Sequence, residues 1–157
     1  MADIAVRTAT PEDWDDLMAL WIADEQEGRG VPPDAVRRGA EHARRMYDFL
    51  ASESFWVLLA RCEGGPAGYI HLCLIPKADE RAGFVYADEL YVVPAHRRKG
   101  VALALLERAA QLSEERGLTG VRLLVRPENE AARALYRKAG YEEYPTILCQ
   151  RKSFRGG

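Results

Sequence analysis

Three consecutive basic residues, Arg97, Arg98 and Lys99, stand directly before Gly100, where an apolar strand pattern ends and a helical pattern begins. The first turn of a helix has unpaired N–H groups and the positive end of the helix dipole, so it stabilises an anion such as a pyrophosphate. Gly100 lacks the Cβ that would hold a phosphate away from those amides. The segment predicts an anion site; the alternative is a turn glycine beside a solvated basic triplet.

A second segment combines a helix cap with a phenol. Asn129 is a good N-cap for a helix that Gly140 ends, and Ala132, Leu135, Tyr136 and Ala139 share one face of that helix. Periodicity alone makes Tyr136 a core residue. A tyrosine is also a proton donor, so this helix is the second candidate for chemistry.

The elements that position these segments follow from hydrophobic periodicity. Six strands are predicted: Ile4 to Arg7, Phe55 to Arg61, Ala67 to Ile75, Phe84 to Val93, Val121 to Val125 and Thr146 to Lys152. Helices are predicted after Thr10 and Pro11, after Pro33, from Arg97 to Ala102 onward, and after Asn129. A hairpin followed by a strand, helix, strand series implies a mixed sheet covered by helices, of α/β or α+β type, with a parallel, right-handed crossover from Leu90 to Val125.

Two features of the N-terminal half bear on a second binding surface. The helix after Pro33 places Val36, Ala40, Ala43, Tyr47 and Leu50 on one side and a run of arginines on the other, which is typical of a solvated face. The acid- and glycine-rich stretch from Asp24 to Pro33 is predicted to be a loop.

Composition bounds the class of protein. The 157 residues, 48% apolar, fit one globular domain over 1–157. With 22 basic and 24 acidic residues there is no global positive field for nucleic acid. The three cysteines match no disulfide or zinc pattern, which favours a reducing cytoplasm, and no apolar run approaches the roughly 20 residues that span a bilayer.

The anion segment resembles the acyl-CoA-binding motif of the GNAT superfamily of N-acetyltransferases, which Arg97, Gly100 and Ala102 match. The segment from Asn129 to Tyr141 is similar to a later signature of that family, and the resemblance covers roughly 84–151. It implies a GNAT fold, a central mixed, mostly antiparallel sheet of six to seven strands flanked by about four helices. Arg98 departs from the pattern, because many members have glycine there. Leu124 stands where some protein-acetylating members have glutamate.

The resemblance implies a cytoplasmic enzyme that transfers an acetyl group from acetyl-CoA directly to a primary amine, without a metal or a covalent intermediate. The expected partner is a small-molecule amine, and neither nucleic acid nor a membrane is expected. Formation of a homodimer is left as an open alternative. The alternatives are acetylation of a protein lysine or N-terminus, and a non-catalytic acyl-CoA-binding module.

The resemblance also implies roles for individual residues. Backbone of the strand pairs with pantetheine, an amide near Val92 faces the thioester oxygen beside a strand bulge, and the turn amides hold the pyrophosphate. The implied acetyl-CoA contacts are Leu90, Tyr91, Val92, Arg97, Arg98, Lys99, Gly100, Val101, Ala102, Leu103 and Asn129.

Three residues are candidates for proton transfer. An acceptor amine is an ammonium at neutral pH and must lose a proton, for which Asp88 and Glu89 are the candidate bases. In a regular strand the two point to opposite faces, so only one reaches the acceptor. The resemblance favours Asp88, and Glu89 takes its place if a bulge switches the faces. By family likeness Tyr136 is the acid that protonates the leaving thiolate.

The acceptor side is less constrained by sequence. His71 either lines the acceptor cleft or sits satisfied in the sheet, and the sheet is the favoured interpretation. Trp21, Asp24, Glu25 and Glu27 lie in a region that often lines the acceptor site in this family, although an acidic loop is more often only solvated.

Overall fold

The computed structural model describes residues 3–153. In this range five strands and four α-helices follow in the order β1 Ile4–Thr8, α1 Trp14–Arg29, α2 Pro33–Tyr47, β2 Phe55–Cys62, β3 Gly65–Pro76, β4 Gly83–Val92, α3 Val101–Glu115, β5 Val121–Leu123 and α4 Glu130–Lys138. Short 3₁₀ helices cover Pro11–Asp13, Phe49–Ala51 and Pro94–His96. The chain divides into a larger unit, Met1–Val125, and a smaller one, Arg126–Gly157.

The larger unit is built on one mixed sheet with the strands in sequence order, β1 to β5. Strands β1 to β4 pair antiparallel, and β4 pairs with β5 in parallel. The β4–α3–β5 crossover is therefore parallel, as the sequence predicts, and the sheet is mostly antiparallel.

Alternating side chains give the sheet two buried faces. Val57, Leu59, Tyr69 and Tyr91 pack in a core cluster with residues of α1 and α2. Helix α3 contacts the strands and buries its own stripe, Leu105, Leu106, Ala109 and Leu112. The sheet is thus held between α3 and the α1–α2 pair, which is why its strands are almost continuously apolar.

Helix α1 is longer than the sequence predicts, so the expected loop from Asp24 to Pro33 is wrong. The helix runs to Arg29, and Gly30 ends it in the left-handed conformation with φ 66°. There Gly30 N–H donates to the Gln26 carbonyl at 3.1 Å, the bond of an αL-type end, and Val31 N–H donates to the Glu25 carbonyl at 3.2 Å. The acidic residues before Gly30 are therefore held on a helix.

A β-bulge interrupts the pairing of β3 with β4. Ile70 pairs with Leu90 and Leu72 pairs with Ala87, so Asp88 and Glu89 together face the single residue His71. The extra residue locally bends the strand and reverses the parity of the residues that follow it.

The smaller unit contains α4. The Asn129 side chain caps this helix by accepting from Ala132 N–H at 3.1 Å, as predicted. The predicted strand from Thr146 to Lys152 is wrong, because that segment is not a strand, and residues 3–153 hold five strands rather than six to seven. A strand requires a backbone partner, which an apolar run cannot supply by itself. Ile147 and Leu148 are 89% and 72% exposed.

Candidate active site

Among residues 3–153, no strand pairs with the outer edge of the second half of β4, which is called the free edge below. Pairing with β5 ends at Ala87–Leu123, whereas β3 stays paired with β4 to Val92. Val93 N–H donates to the Ala67 carbonyl at 2.9 Å, so in the alternating antiparallel ladder Tyr91 and Val93 bond to β3. The N–H and C=O groups of Leu90 and Val92 therefore point to the side from which β5 has diverged.

Gly68 allows the close approach of β3 to this part of β4. A Cβ at position 68 would collide with the Tyr91 carbonyl oxygen and lie 3.2 Å from Val92 Cα. Any larger residue there would push the two strands apart at the point where the free edge begins.

The turn after β4 leads the chain into the N-terminus of α3. The helix begins at Val101 after the turn 97–100, four residues later than predicted, because Gly100 at φ 88° is its N-cap. Ala104 N–H is the first to find an intrahelical acceptor, the Gly100 carbonyl at 3.0 Å. The N–H groups of Val101, Ala102 and Leu103 therefore have no acceptor within the helix. Arg98 also has a left-handed backbone, with φ 60°.

Arg97 ties this turn to α1. Its Nε donates to the Val92 carbonyl at 2.8 Å, and its Nη2 lies 2.6 Å from Glu27 Oε1. The Tyr91 hydroxyl also donates to Glu27, at 2.9 Å. Arg97 and Tyr91 together lower the pKa of Glu27. The structure thus places the Arg97 guanidinium against α1 and β4.

The bulge overturns the expectation that Asp88 and Glu89 point to opposite faces. Tyr86 pairs with Cys73 and Tyr91 with Tyr69, which lie on one face of β3. Counting forward from Tyr86 puts Asp88 on that face, and counting back from Tyr91 puts Glu89 there too. Asp88 is exposed.

Glu89 lies in a cluster of aromatic and acidic side chains. Its side chain is 44% exposed, and its Oε2 accepts from the Tyr69 hydroxyl at 3.3 Å. The same hydroxyl also donates to Asp24 on α1. Burial, followed by the neighbouring acids, raises the pKa of Glu89, and burial raises that of Asp24. Burial and these two carboxylates hold the pKa of Tyr69 well above its ordinary value.

His71 is hydrogen-bonded within the fold and also lines the cavity described below, so both interpretations of this residue, as a sheet residue and as a cleft residue, are correct. Its Nε2 accepts from Trp21 Nε1–H at 3.0 Å, which places the proton of the neutral ring on Nδ1. Nδ1 lies 3.7 Å from Glu89 Oε2. Burial lowers the pKa of His71 to about 4, and this outweighs the distant carboxylate.

A cavity of about 720 Å³ opens beside this cluster, between α2 and the sheet. Its volume is in the range of small-molecule sites. The lining residues come from both helices, the 3₁₀ turn and three strands: Trp21, Glu25, Arg29, Val31, Ala35, Val36, Gly39, Ala40, Ala43, Tyr47, Phe49, Ser52, Phe55, Tyr69, His71 and Glu89. Trp21, Glu25 and Glu89, named from sequence, are among them. Asp24 reaches the cluster through Tyr69.

The smaller unit carries the other two predicted site residues. Tyr136 is half-buried on α4, with its ring centroid 5.9 Å from that of Tyr141. Burial raises the pKa of Tyr136. Asn129 already uses its side-chain oxygen as the helix cap.

Sequence reasoning missed Gly68 and Tyr69, the residues that fit β3 against the free edge and link Asp24 to Glu89. Neither residue belongs to a local motif. The signal that the sequence carries for Tyr69 is its alternation with His71 and Cys73 along one strand, which places the three side chains on the same face.

Comparison with known proteins gives the family. The family model described as Acetyltransferase (GNAT) family matches residues 14–141. An aminoglycoside N(6')-acetyltransferase type 1 from Klebsiella aerogenes is 30% identical over 118 residues, which are 71% of this chain and 78% of that protein.

Solved structures show the same fold. The aminoglycoside N-acetyltransferase AAC(6')-Iy, in complex with a CoA-containing bisubstrate analogue, superposes with a TM-score of 0.77 at 19% identity and covers 97% of this chain and 99% of its own. An aminoglycoside acetyltransferase from an uncultured soil metagenomic sample has a TM-score of 0.78 at 25% identity, covering 96% and 99%.

The chain therefore belongs to the GNAT acetyltransferase family. It is an acetyl-CoA-dependent N-acetyltransferase, and acetyl-CoA is its co-substrate. Within residues 3–153, no helix is long and apolar enough to cross a membrane.

Proposed function

We propose that this enzyme transfers the acetyl group of acetyl-CoA directly to the primary amine of a small molecule. The observation that carries the proposal is the position of Glu89, which borders both the free edge of β4 and a cavity of small-molecule size. A carboxylate in that place can take a proton from an amine whose nitrogen faces the thioester.

The coenzyme fits the free backbone groups of the larger unit. The outward N–H and C=O groups of Leu90 would pair with the amide-containing pantetheine arm, as an added strand would, which leaves the Val92 N–H to face the thioester. The N–H groups of Val101, Ala102 and Leu103 would bind the pyrophosphate at the positive end of α3. The cations of Arg98 and Lys99 would add attraction for the phosphates without fixing their geometry.

Glu89 is the proposed general base. The acceptor ammonium, with a pKa near 10, must lose its proton before its nitrogen can attack. The raised pKa of Glu89 brings its basicity closer to neutral pH than that of an ordinary glutamate. Asp88 would act on Glu89 as a nearby negative charge, since it belongs to the same bulge.

Two further groups complete the transfer. As the amine nitrogen bonds to the thioester carbon, negative charge develops on the carbonyl oxygen, which the Val92 N–H would stabilise. The C–S bond then breaks, and Tyr136 would donate its phenol proton to the departing thiolate. The acceptor nitrogen loses two protons between ammonium and amide. The first rests on Glu89 and passes to solvent, and the second leaves the nitrogen as the tetrahedral intermediate collapses and returns through solvent to the Tyr136 phenolate, so charge and atoms balance.

A small dissolved amine is the proposed partner, and the cytoplasm the proposed location, with neither nucleic acid nor membrane involved. The cavity volume supports the small molecule over a protein chain. Three free cysteines, Cys62, Cys73 and Cys149, support a reducing compartment.

An acceptor screen tests this function. Purified protein is incubated with acetyl-CoA and a panel of primary amines, and both CoA release and the acetylated amine are measured, with a lysine peptide in the same panel. Acetylation of small amines but not of the peptide is expected. Coenzyme binding with no acetylated product from any acceptor would indicate a non-catalytic binding module.

A further inference from the structure

We propose that the acceptor is a primary amine with a single positive charge and an apolar body about the size of an aromatic ring system. This inference rests on the proposed transfer reaction and names its substrate class. It comes from the way in which apolar surface and charge are divided between the walls of the cavity.

The α2 wall is an apolar stripe that the protein covers only in part, since Val36 and Ala40 pack with the core cluster and the end of the stripe does not. Val36, Gly39, Ala40, Ala43 and Tyr47 line the cavity at spacings of three and four residues. Such a stripe normally packs against a core, yet only Val36 is buried and Tyr47 is 72% exposed. The small residues in the middle of the stripe leave room for a ligand. An apolar group placed there would gain the burial that the protein does not supply.

The opposite wall is a set of rings fixed against one another. The Trp21 and Phe49 centroids lie 5.9 Å apart and those of Phe49 and Phe55 5.6 Å apart, both in edge-on arrangements. The Trp21 N–H donates to His71, so these rings offer only carbon atoms to a ligand in the cavity. A ligand rich in hydroxyl groups would lose hydrogen bonds to water here without replacement.

The charged residues that line the cavity, which do not include Asp24 or Asp88, fit one cation. Among the charged lining residues, Glu25 accepts from Arg29 Nε at 2.7 Å, so these two neutralise each other. Glu89 instead faces the Tyr69 hydroxyl at 3.3 Å and the neutral ring of His71. One ammonium group at Glu89 would therefore be matched, whereas further cations of a polyamine would lie against apolar walls. The proposal departs from the aminoglycosides named for the relatives.

Steady-state kinetics with matched amines tests the class. With saturating acetyl-CoA, kcat/KM is measured for tryptamine, 2-phenylethylamine, spermidine and kanamycin. The two aromatic monoamines are expected to exceed the two polycations by about tenfold or more. A higher kcat/KM for spermidine or kanamycin would overturn the proposal.

A cavity-filling variant tests the position of the apolar body. Ala43→Phe projects a ring from the stripe and is expected to raise the KM for tryptamine about tenfold. Arg45→Phe adds the same ring on the exposed opposite side of α2 and should leave that KM unchanged. If Ala43→Phe does not fold, Gly39→Leu replaces it, because a Cβ at Gly39 meets no atom within 4 Å. An unchanged tryptamine KM in the folded variant contradicts the placement.

Direct binding separates this inference from the transfer reaction. Tryptamine binding to the protein with CoA is measured by calorimetry. Tight binding without acetylation would reject the reaction and keep the ligand class. Acetylation of polycations alone, with no tryptamine binding, would reject the ligand class and keep the reaction.

Discussion

The two sides of the candidate active site are built from different parts of the chain. The coenzyme side consists of backbone groups, the outward edge of Leu90 and Val92 and the first amides of α3. The acceptor side consists of side chains such as Trp21, Phe49 and Glu89, drawn from separate elements. A backbone site requires only that glycine and small residues stand where the coenzyme comes close, so it leaves a short motif in the sequence. A side-chain cavity leaves none, because each of its residues can change independently.

The comparison predicts that the acceptor side is most sensitive to single side-chain changes. Glu89→Gln keeps the shape of the side chain and removes the base, so kcat/KM is expected to fall about a hundred- to ten-thousandfold. The acid limb of the wild-type pH profile should lie above the ordinary glutamate pKa, because burial, Asp24 and Asp88 raise the pKa of Glu89. Activity then rises as pH increases through that value.

Asp88→Asn is the matched control for this prediction. The kcat/KM of this variant should fall by less than about tenfold. The acid limb of its pH profile should move to lower pH, since removing a like charge lowers the pKa of Glu89. If Glu89→Gln keeps the wild-type pH profile and Asp88→Asn loses activity instead, the two roles are exchanged.

Tyr136 is the side chain proposed to protonate the leaving thiolate of the coenzyme. Tyr136→Phe keeps the ring and removes the proton donor, so kcat should fall about ten- to a thousandfold with acetyl-CoA affinity and Tm close to wild type. Tyr141→Phe is the control, because its ring lies beside Tyr136 and burial likewise raises the pKa of Tyr141, to about 12. Normal turnover in Tyr136→Phe would leave solvent to protonate the thiolate.

Gly100, at the N-terminus of α3, tests the proposal that backbone groups bind the coenzyme. Gly100→Val should weaken CoA binding at least about tenfold, near 1.4 kcal/mol, because its side chain displaces the phosphates. The φ of 88° also strains the variant, by about 1–2 kcal/mol.

Gly117→Val separates these two effects. Gly117, which follows the other end of α3, has a similar φ of 67° and open space around it. This control should lose similar stability and keep full CoA affinity, measured by calorimetry and thermal melting. Equal CoA affinity in the two variants would remove Gly100 from the anion site.

The same division explains what the sequence could predict. Strands β2 to β4, α3 and the Asn129 cap follow from local periodicity and capping, and the coenzyme motif lies on two of these elements. The bulge depends on the register between β3 and β4, which no single segment contains. The acceptor cavity depends on two helices, a 3₁₀ turn and three strands meeting. Of these the sequence offered the apolar side of α2 and, as separate candidates, Trp21, the acidic residues of α1, His71 and Glu89.

Two errors have local causes. Gly28 and the cluster of acids were interpreted as a loop, although a glycine inside a helix costs only about 1 kcal/mol and Gly30 supplies the true end. The segment from Thr146 to Lys152 contains apolar residues but pairs with no strand in the described part of the chain.

The smallest predicted effect concerns Arg98, the departure from the family pattern. Its φ of 60° is a conformation in which glycine is unstrained, so the structure accounts for the glycine that many family members have there. Arg98→Gly should raise stability by up to about 1 kcal/mol, because relief of strain exceeds the added freedom of the unfolded chain. It should also weaken CoA binding by about two- to fivefold at low salt, because an exposed cation near the phosphates is lost.

Arg98→Gln distinguishes the two contributions. This variant loses the same charge and keeps a side chain at φ 60°, so it should show the same loss of CoA affinity without the gain in Tm. Calorimetry at low and high salt should find the affinity loss fading as salt screens the phosphates. A loss that persists at high salt would mean that Arg98 binds the coenzyme through a specific contact. The coenzyme side would then depend on a side chain as the acceptor side does.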